Sequence, residues 1–406
     1  MHVIFVAPHF PAYQKQFVRA LKTVGAAVTG IGEAPVDMLP DDLKSWLDGY
    51  EQVPSVCDDQ AMLDAVRRIQ RRGWVDRMEA TIEAHMLTAA RVREATGIPG
   101  LTYQQTVLVR DKTIMKDFMR KHGIPTAMSA SAENVDEVVA FGRKVGYPII
   151  IKPRAAAGAS GTWRVNGENE LGPVLQQCGV AQGNSVALEE FIEGHEGFYD
   201  TITVGGKVAH DFISHYYPGV LEAMRTRWIS PVIITTNRMD APGYDEVKIM
   251  GRKVIRDLGL HTAPTHMEWF FGPKGLKFSE IGARPPGVGQ WDLYCAANDI
   301  DLYKEWAFSI VHGTCPTPLS RRYSAAIITL RPNQDGHIKG YEGVEHICNK
   351  YGKWFIKSHF PPVGAPTQPV EAGYMANAWI QIKYPDYDDL RAILEEIGRT
   401  IQVHAG

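Results

Sequence analysis

The segment THMEWFFGPKGLKFSEIGARP, residues 265–285, reads as two strands joined by a tight turn. Pro273-Lys274-Gly275 suits a three-residue hairpin loop, because proline fixes φ at the first position and glycine accepts the left-handed conformation at the third. Such a loop pairs Gly272 with Leu276, and counting outward sets Phe270 opposite Phe278, Glu268 opposite Glu280 and His266 opposite Gly282. Two carboxylates opposite one another on one face of a sheet have Cβ atoms about 5 Å apart. Like charges at that separation repel, so Glu268 and Glu280 are expected to share a cation. That expectation requires an odd loop, since an even one turns the two carboxylates to opposite faces.

Upstream, IIIKPRAAAGASGT, residues 149–162, sets Lys152 at the end of an apolar strand and follows it with small residues, Ala155, Gly158, Ser160 and Gly161 among them. Small side chains let backbone N–H groups approach anionic oxygens, and the lysine adds a point charge, which together is phosphate-binding chemistry. The GxxxxGK[ST] pattern of a Walker A loop is absent. Phosphates beside oxygen ligands make Mg²⁺ the expected cation at Glu268 and Glu280. ALEEFIEGHE, residues 187–196, runs from a strand into an acidic turn, and Arg110-Asp111-Lys112-Thr113 opens a helix ahead of all three segments.

Around these segments the chain divides into three. Residues 1–105 alternate strand-like stretches at 3–7 and 25–30 with helical ones at 13–24, 60–71 and 80–96, the pattern of a parallel α/β sheet. Residues 106–315 are α+β, with helices at 112–122 and 135–145 and strands at 149–151, 186–190, 199–204, 265–271 and 276–281; a small mobile subdomain is expected over about 115–190. Residues 316–406 hold strand candidates at 324–330, 354–357 and 377–383 and an amphipathic helix at 387–399. The 406 residues carry 43 Lys+Arg against 46 Asp+Glu, which argues against a nucleic-acid binder working through bulk charge. Cys57, Cys178, Cys295, Cys315 and Cys348 are dispersed without a CxxC pair, fitting neither a disulfide framework nor a structural zinc site. The amino terminus reads directly as a strand without a basic leader, and no apolar run approaches the roughly 18 residues of a membrane helix. A cytoplasmic protein with no membrane partner is expected.

Read in order, Lys112, Lys152 with its small-residue loop, Glu189-Glu190-Phe191-Ile192 to Glu196, and Glu268 to Glu280-x-x-x-Arg284 resemble the ATP-grasp superfamily. The resemblance spans the chain: residues 1–105 look like the pre-ATP-grasp α/β domain, 106–315 like the ATP-grasp domain with its small lid, and 316–406 like the α+β closing domain of the biotin-carboxylase-like branch. Within that branch the likeness is to carboxylate-amine ligases, including L-amino-acid ligases.

The resemblance implies that Lys112 and Lys152 hold the α- and β-phosphates of ATP and that the loop at 155–161 closes over the β- and γ-phosphates. It further implies that Glu189 accepts from the adenine amino group, that backbone groups near Glu190, Phe191 and Ile192 read the ring edge, and that Glu196 binds the ribose hydroxyls. Glu268 and Glu280 would bind Mg²⁺, with Arg284 and Lys152 catalytic. The family commonly has Glu-x-Asn-x-Arg where this chain has Glu280-Ile281-Gly282-Ala283-Arg284, so one metal ligand is missing. His266, opposite that glycine, is expected to order a coordinated water or hydrogen-bond a carboxylate, since hard Mg²⁺ prefers oxygen.

The implied activity is ATP-dependent joining of a small-molecule carboxylate to an amine through an acyl phosphate. An ATP-dependent carboxylase working through carboxyphosphate, and a nucleotide-binding module without turnover, are the alternatives. Glu83, Arg225, Arg227 and His266 are the candidate substrate residues, and a homodimer is expected from the branch.

Overall fold

The computed structural model describes residues 1–153 and 162–406. Strand His2–Val6 lies at the centre of a four-stranded sheet in the order Gly49–Gln52, Ala27–Gly32, His2–Val6, Arg77–Glu79, and every pair is parallel. Helices on both faces explain why Val3, Ile4, Phe5 and Val6 form an unbroken apolar run, all of them buried. The helix expected at 80–96 starts later: a 3₁₀ turn at Glu83–His85 precedes helix Met86–Thr96, so Glu83 stands at its entrance. Gly97, with φ of 68°, closes that helix in the left-handed conformation.

A second, antiparallel sheet has the order Ser129–Ala132, Val186–Glu190, Ile149–Pro153, Trp163–Val165. Helices Val135–Val145 and Leu171–Cys178 pack on it through Val138, Phe141, Leu171 and Leu175 against Ile149, Ile151 and Leu188. This sheet lies inside the stretch 115–190 for which the sequence suggests a small mobile subdomain.

The third sheet is the largest and entirely antiparallel. Its order is Gly275–Gly282, Ala263–Gly272, His195–Val204, Lys207–Tyr217, Val232–Thr235, Ser324–Leu330, Ala378–Tyr384, Phe355–His359. It runs without interruption past residue 315, since Val232–Thr235 pairs directly with Ser324–Leu330. Helix Tyr387–Thr400, capped by Asp386 accepting from the N–H groups of Asp388 and Asp389, lays Leu390, Leu394 and Ile397 on the far half of this sheet.

The hairpin at 265–285 corrects the sequence expectation in two places. Gly272 pairs with Gly275, not Leu276, so the loop has two residues and Trp269, not Phe270, faces Phe278. A bulge then leaves Ser279 unpaired, and the register returns to Glu268 opposite Glu280 and His266 opposite Gly282. The even loop would have separated the carboxylates; the extra residue brings them back to one face. Gly272 is tied to its position by packing, because a Cβ there would come within 2.0 Å of the Glu193 carbonyl oxygen.

Candidate functional site

Helix Lys112–Lys121 touches both sheets, Lys112 pairing with Glu280 of the large one and Lys116 with Glu189 of the small one. Asp111 caps that helix by accepting from the N–H groups of Thr113 and Ile114, both at 3.0 Å. Lys112 and Lys116, one turn apart, therefore project toward the same side. Lys116 and Lys152 both donate to Glu189, Lys152 at 3.3 Å. Burial alone would raise the Glu189 carboxyl, but the two lysines override it and hold it at about 2. Glu190 accepts from Lys274 and from the Met128 N–H, and the Arg164 guanidinium stacks over Phe191 at 4.2 Å. Ile192 is buried beside them. Ala155, Gly158, Ser160 and Gly161 lie outside the described residues.

The large-sheet wall carries the carboxylates. Glu280 is ion-paired with Lys112, and Glu268 accepts from the Tyr216 hydroxyl at 3.3 Å. Glu196, on the neighbouring strand His195–Val204, accepts from the Val220 N–H at 2.7 Å. Gly219 makes room for it, since a Cβ there would lie 2.9 Å from Glu196 Oε2. Burial first, then the charge of Glu268 and more weakly that of Glu280, raise the Glu196 carboxyl well above its ordinary range. Lys152 and the Val220 N–H act against this rise without cancelling it.

His266 reaches the carboxylates differently from a water-ordering ligand. Its Nδ1 pairs with Asp200 Oδ1 at 2.7 Å, and its Nε2 lies 3.7 Å from Glu268 Oε1. Burial would lower its pKa, but Asp200 and then Glu268 outweigh burial and raise it to about 9, so the ring is an imidazolium at neutral pH. Tyr294 donates to the other oxygen of Asp200 at 2.5 Å, which fixes the pair. The space left by Gly282 belongs to Arg284, whose Cγ would lie 3.3 Å from a Cβ at that position.

Arg284 donates through Nε and Nη2 to Glu83, at 3.0 and 2.8 Å, and Arg110 donates to the same carboxylate. The structure therefore joins Glu83 to two arginines, Arg110 on one carboxylate oxygen and Arg284 on the other. Arg225 donates to the Thr162 carbonyl, and Arg227 is held by Asp335 at 2.6 Å, away from the carboxylates. Arg331 and Tyr374 escaped the sequence reading. Arg331 Nη1 donates to the Thr226 carbonyl at 2.5 Å, whereas its buried Nη2 and the buried Tyr374 hydroxyl have no partner among the described residues. Lys116 and Asp200 were also missed; the spacing of four from Lys112 is the one signal that could have found Lys116.

Lysines on one wall and hard oxygen donors on the other fit a nucleotide polyphosphate and its divalent cation. Lys112 already stands on Glu280 as a cation would, and the raised Glu196 carboxyl marks a further shortage of positive charge. Two antiparallel sheets thus carry the two halves of a charge-complementary candidate site.

The ATP-grasp domain model matches residues 117–299 of this chain. An L-arginine-specific L-amino acid ligase of Bacillus subtilis is 27% identical over 250 residues, 60% of this chain and 60% of that relative's length. Among solved structures, an L-amino acid ligase of Bacillus licheniformis superimposes with a TM-score of 0.75 at 18% identity, covering 100% of this chain and 98% of the other. The biotin carboxylase domain dimer of a 2-oxoglutarate carboxylase from Hydrogenobacter thermophilus, solved with MgADP, ADP and bicarbonate, gives 0.67 at 18% identity over 99% of this chain and 90% of that one. The structural likenesses show a shared mixed α/β multidomain fold.

Proposed function

We propose that this chain is an ATP-dependent carboxylate-amine ligase. The γ-phosphate of ATP passes to a substrate carboxylate oxygen, the resulting acyl phosphate is attacked by an amine, and phosphate leaves with the amide formed and ADP released. Glu268 facing Glu280 beside Glu196 carries this reading, because three neighbouring carboxylates with only Lys112 and the His266 imidazolium against them favour a further cation. A bound Mg²⁺ would supply charge neutralisation of the transferring phosphoryl group. Lys112, Lys116 and Lys152 hold phosphate oxygens as point charges, Lys112 leaving Glu280 when the cation arrives. Arg284, oriented by Glu83, stabilises the charge that develops on the acyl phosphate. Arg331 Nη2 and Tyr374 offer unused donors to the substrate carboxylate.

The likeness to two L-amino acid ligases supports amino acids as both acid and amine. The carboxylase alternative draws on the bicarbonate-bound relative, and the module without turnover on Gly282. The reading includes a homodimer working in the cytoplasm, and no helix of the described residues is long and apolar enough to cross a membrane. Phosphate release from ATP is measured with single amino acids, with pairs, with bicarbonate and with no acceptor, and products are identified by mass spectrometry. Release that requires an amino-acid pair, with a dipeptide formed, is the expected result. Bicarbonate-dependent release selects the carboxylase, and no release under any condition selects the inactive module.

A further inference from the structure

Cysteine spacing argues against a metal site, yet the fold gathers one cysteine with a buried histidine and a buried glutamate. His210 follows a register shift after Val208 on strand Lys207–Tyr217, Glu305 lies on helix Leu302–Val311, and Cys315 sits on the connection that follows that helix. Ligand atoms of the three lie within 4.8 Å of one another, and His210 Nε2 is 3.2 Å from Glu305 Oε2. His210 is 5% and Glu305 2% exposed, so the carboxylate has almost no water to compensate it. Its other polar contact is the Thr317 N–H at 3.3 Å, and the Cys315 thiol donates weakly, at 3.7 Å, to the Glu305 carbonyl. Arg321, which lines the same surface groove, is paired with Asp211 instead.

We propose that His210, Glu305 and Cys315 bind a divalent transition-metal ion of the zinc class. Nitrogen, carboxylate oxygen and sulfur together suit zinc far better than Mg²⁺. Bonds of about 2.0–2.1 Å to nitrogen and oxygen and about 2.3 Å to sulfur put tetrahedral ligand atoms roughly 3.3–3.6 Å apart, so the histidine and glutamate, at 3.2 Å, need to part only slightly. Three protein ligands leave a fourth position, which faces a groove of about 430 Å³ bordered by Pro316, Thr317 and Leu319, open to water or a small ligand. Binding transfers the Cys315 proton to solvent, because the thiolate is the ligand. The ion would clamp the strand that carries Tyr216 to helix Leu302–Val311 and to the connection leading into the last third of the chain.

The full chain, stripped of metal with chelator, is titrated with Co²⁺. One equivalent should bind with a near-ultraviolet thiolate-to-cobalt charge-transfer band that Zn²⁺ abolishes. Cys315→Ser should lack the band, and His210→Ala should weaken Co²⁺ binding at least roughly tenfold. Cobalt on the Glu268–Glu280 wall gives no such band, since no sulfur lies among those ligands, and the other four cysteines remain in Cys315→Ser as an internal control. No band in the parent chain, or a band surviving in Cys315→Ser, overturns the assignment. If either variant misfolds by circular dichroism, alkylation of the parent decides: Zn²⁺ must protect Cys315 from iodoacetamide, and equal labelling with and without Zn²⁺ overturns the site.

Discussion

The two walls of the candidate site balance charge in opposite ways. On the small-sheet wall Glu189 is clasped by Lys116 and Lys152, and Glu190 is held by Lys274. On the large-sheet wall Glu280 pairs with Lys112 and Glu268 lies beside the His266 imidazolium, while Glu196 accepts from the Val220 N–H. The first arrangement lowers the Glu189 carboxyl to about 2, and the second raises that of Glu196. One wall therefore has lysines ready to pass from a carboxylate to a phosphate, and the other lacks positive charge until a cation arrives. Under the proposed function, nucleotide phosphates would engage the lysines of the first wall and the metal the carboxylates of the second.

Breaking the carboxylate wall should have the largest effect. Arg284→Ala is expected to lower phosphate release by roughly 10²–10³-fold with ADP affinity close to the parent's, because the guanidinium acts on charge that develops during transfer. Turnover within a few-fold of the parent would reduce Arg284 to a partner of Glu83.

The lysine-rich wall is sharpened by acid titration. The Glu189 carboxyl lies at about 2 in the fold against an ordinary 4.5, so its stabilisation is present above the ordinary value and is lost as pH falls toward 2. The shift corresponds to roughly 3 kcal/mol. Urea unfolding of Glu189→Gln should thus show a deficit of about 2–3 kcal/mol near neutrality that closes as pH falls below about 4. A deficit independent of pH would contradict the clasp.

The smallest effect is expected at Gly282. Gly282→Asn places a Cβ 3.3 Å from Arg284 Cγ, which crowds the arginine without removing it. Phosphate release should fall by roughly tenfold or less, about 1 kcal/mol, while apparent Mg²⁺ affinity changes little. A large change in Mg²⁺ affinity with unchanged turnover would mean that the amide reaches the metal and leaves Arg284 in place.

The parts of this molecule that were readable from sequence are those with local causes. Strands 186–190 and 324–330 and helix 135–145 announced themselves by apolar periodicity and caps, and the structure reproduces them as Val186–Glu190, Ser324–Leu330 and Val135–Val145. Strand Lys207–Tyr217 was missed because it is buried on both faces while carrying His210, Ser214 and His215, each satisfied by a distant partner such as Glu305 or Thr235. Alternation is invisible in such a strand. The pairing of Glu268 with Glu280 was reached through a wrong loop length that the bulge at Ser279 offset, and bulges leave no sequence mark here. Glu83 on Arg284, Asp200 on His266 and Cys315 beside His210 join residues far apart in the chain, so no local pattern could have shown them.

The division of labour between the walls is tested most directly in Glu280→Gln, by measuring ADP binding calorimetrically without Mg²⁺ and phosphate release across a Mg²⁺ titration. The account predicts Mg²⁺-free ADP affinity within roughly threefold of the parent, since Lys116 and Lys152 are untouched, and Mg²⁺-dependent release reduced at least about 100-fold. Release with the parent's rate and Mg²⁺ dependence, or ADP binding lost in step with turnover, would contradict it.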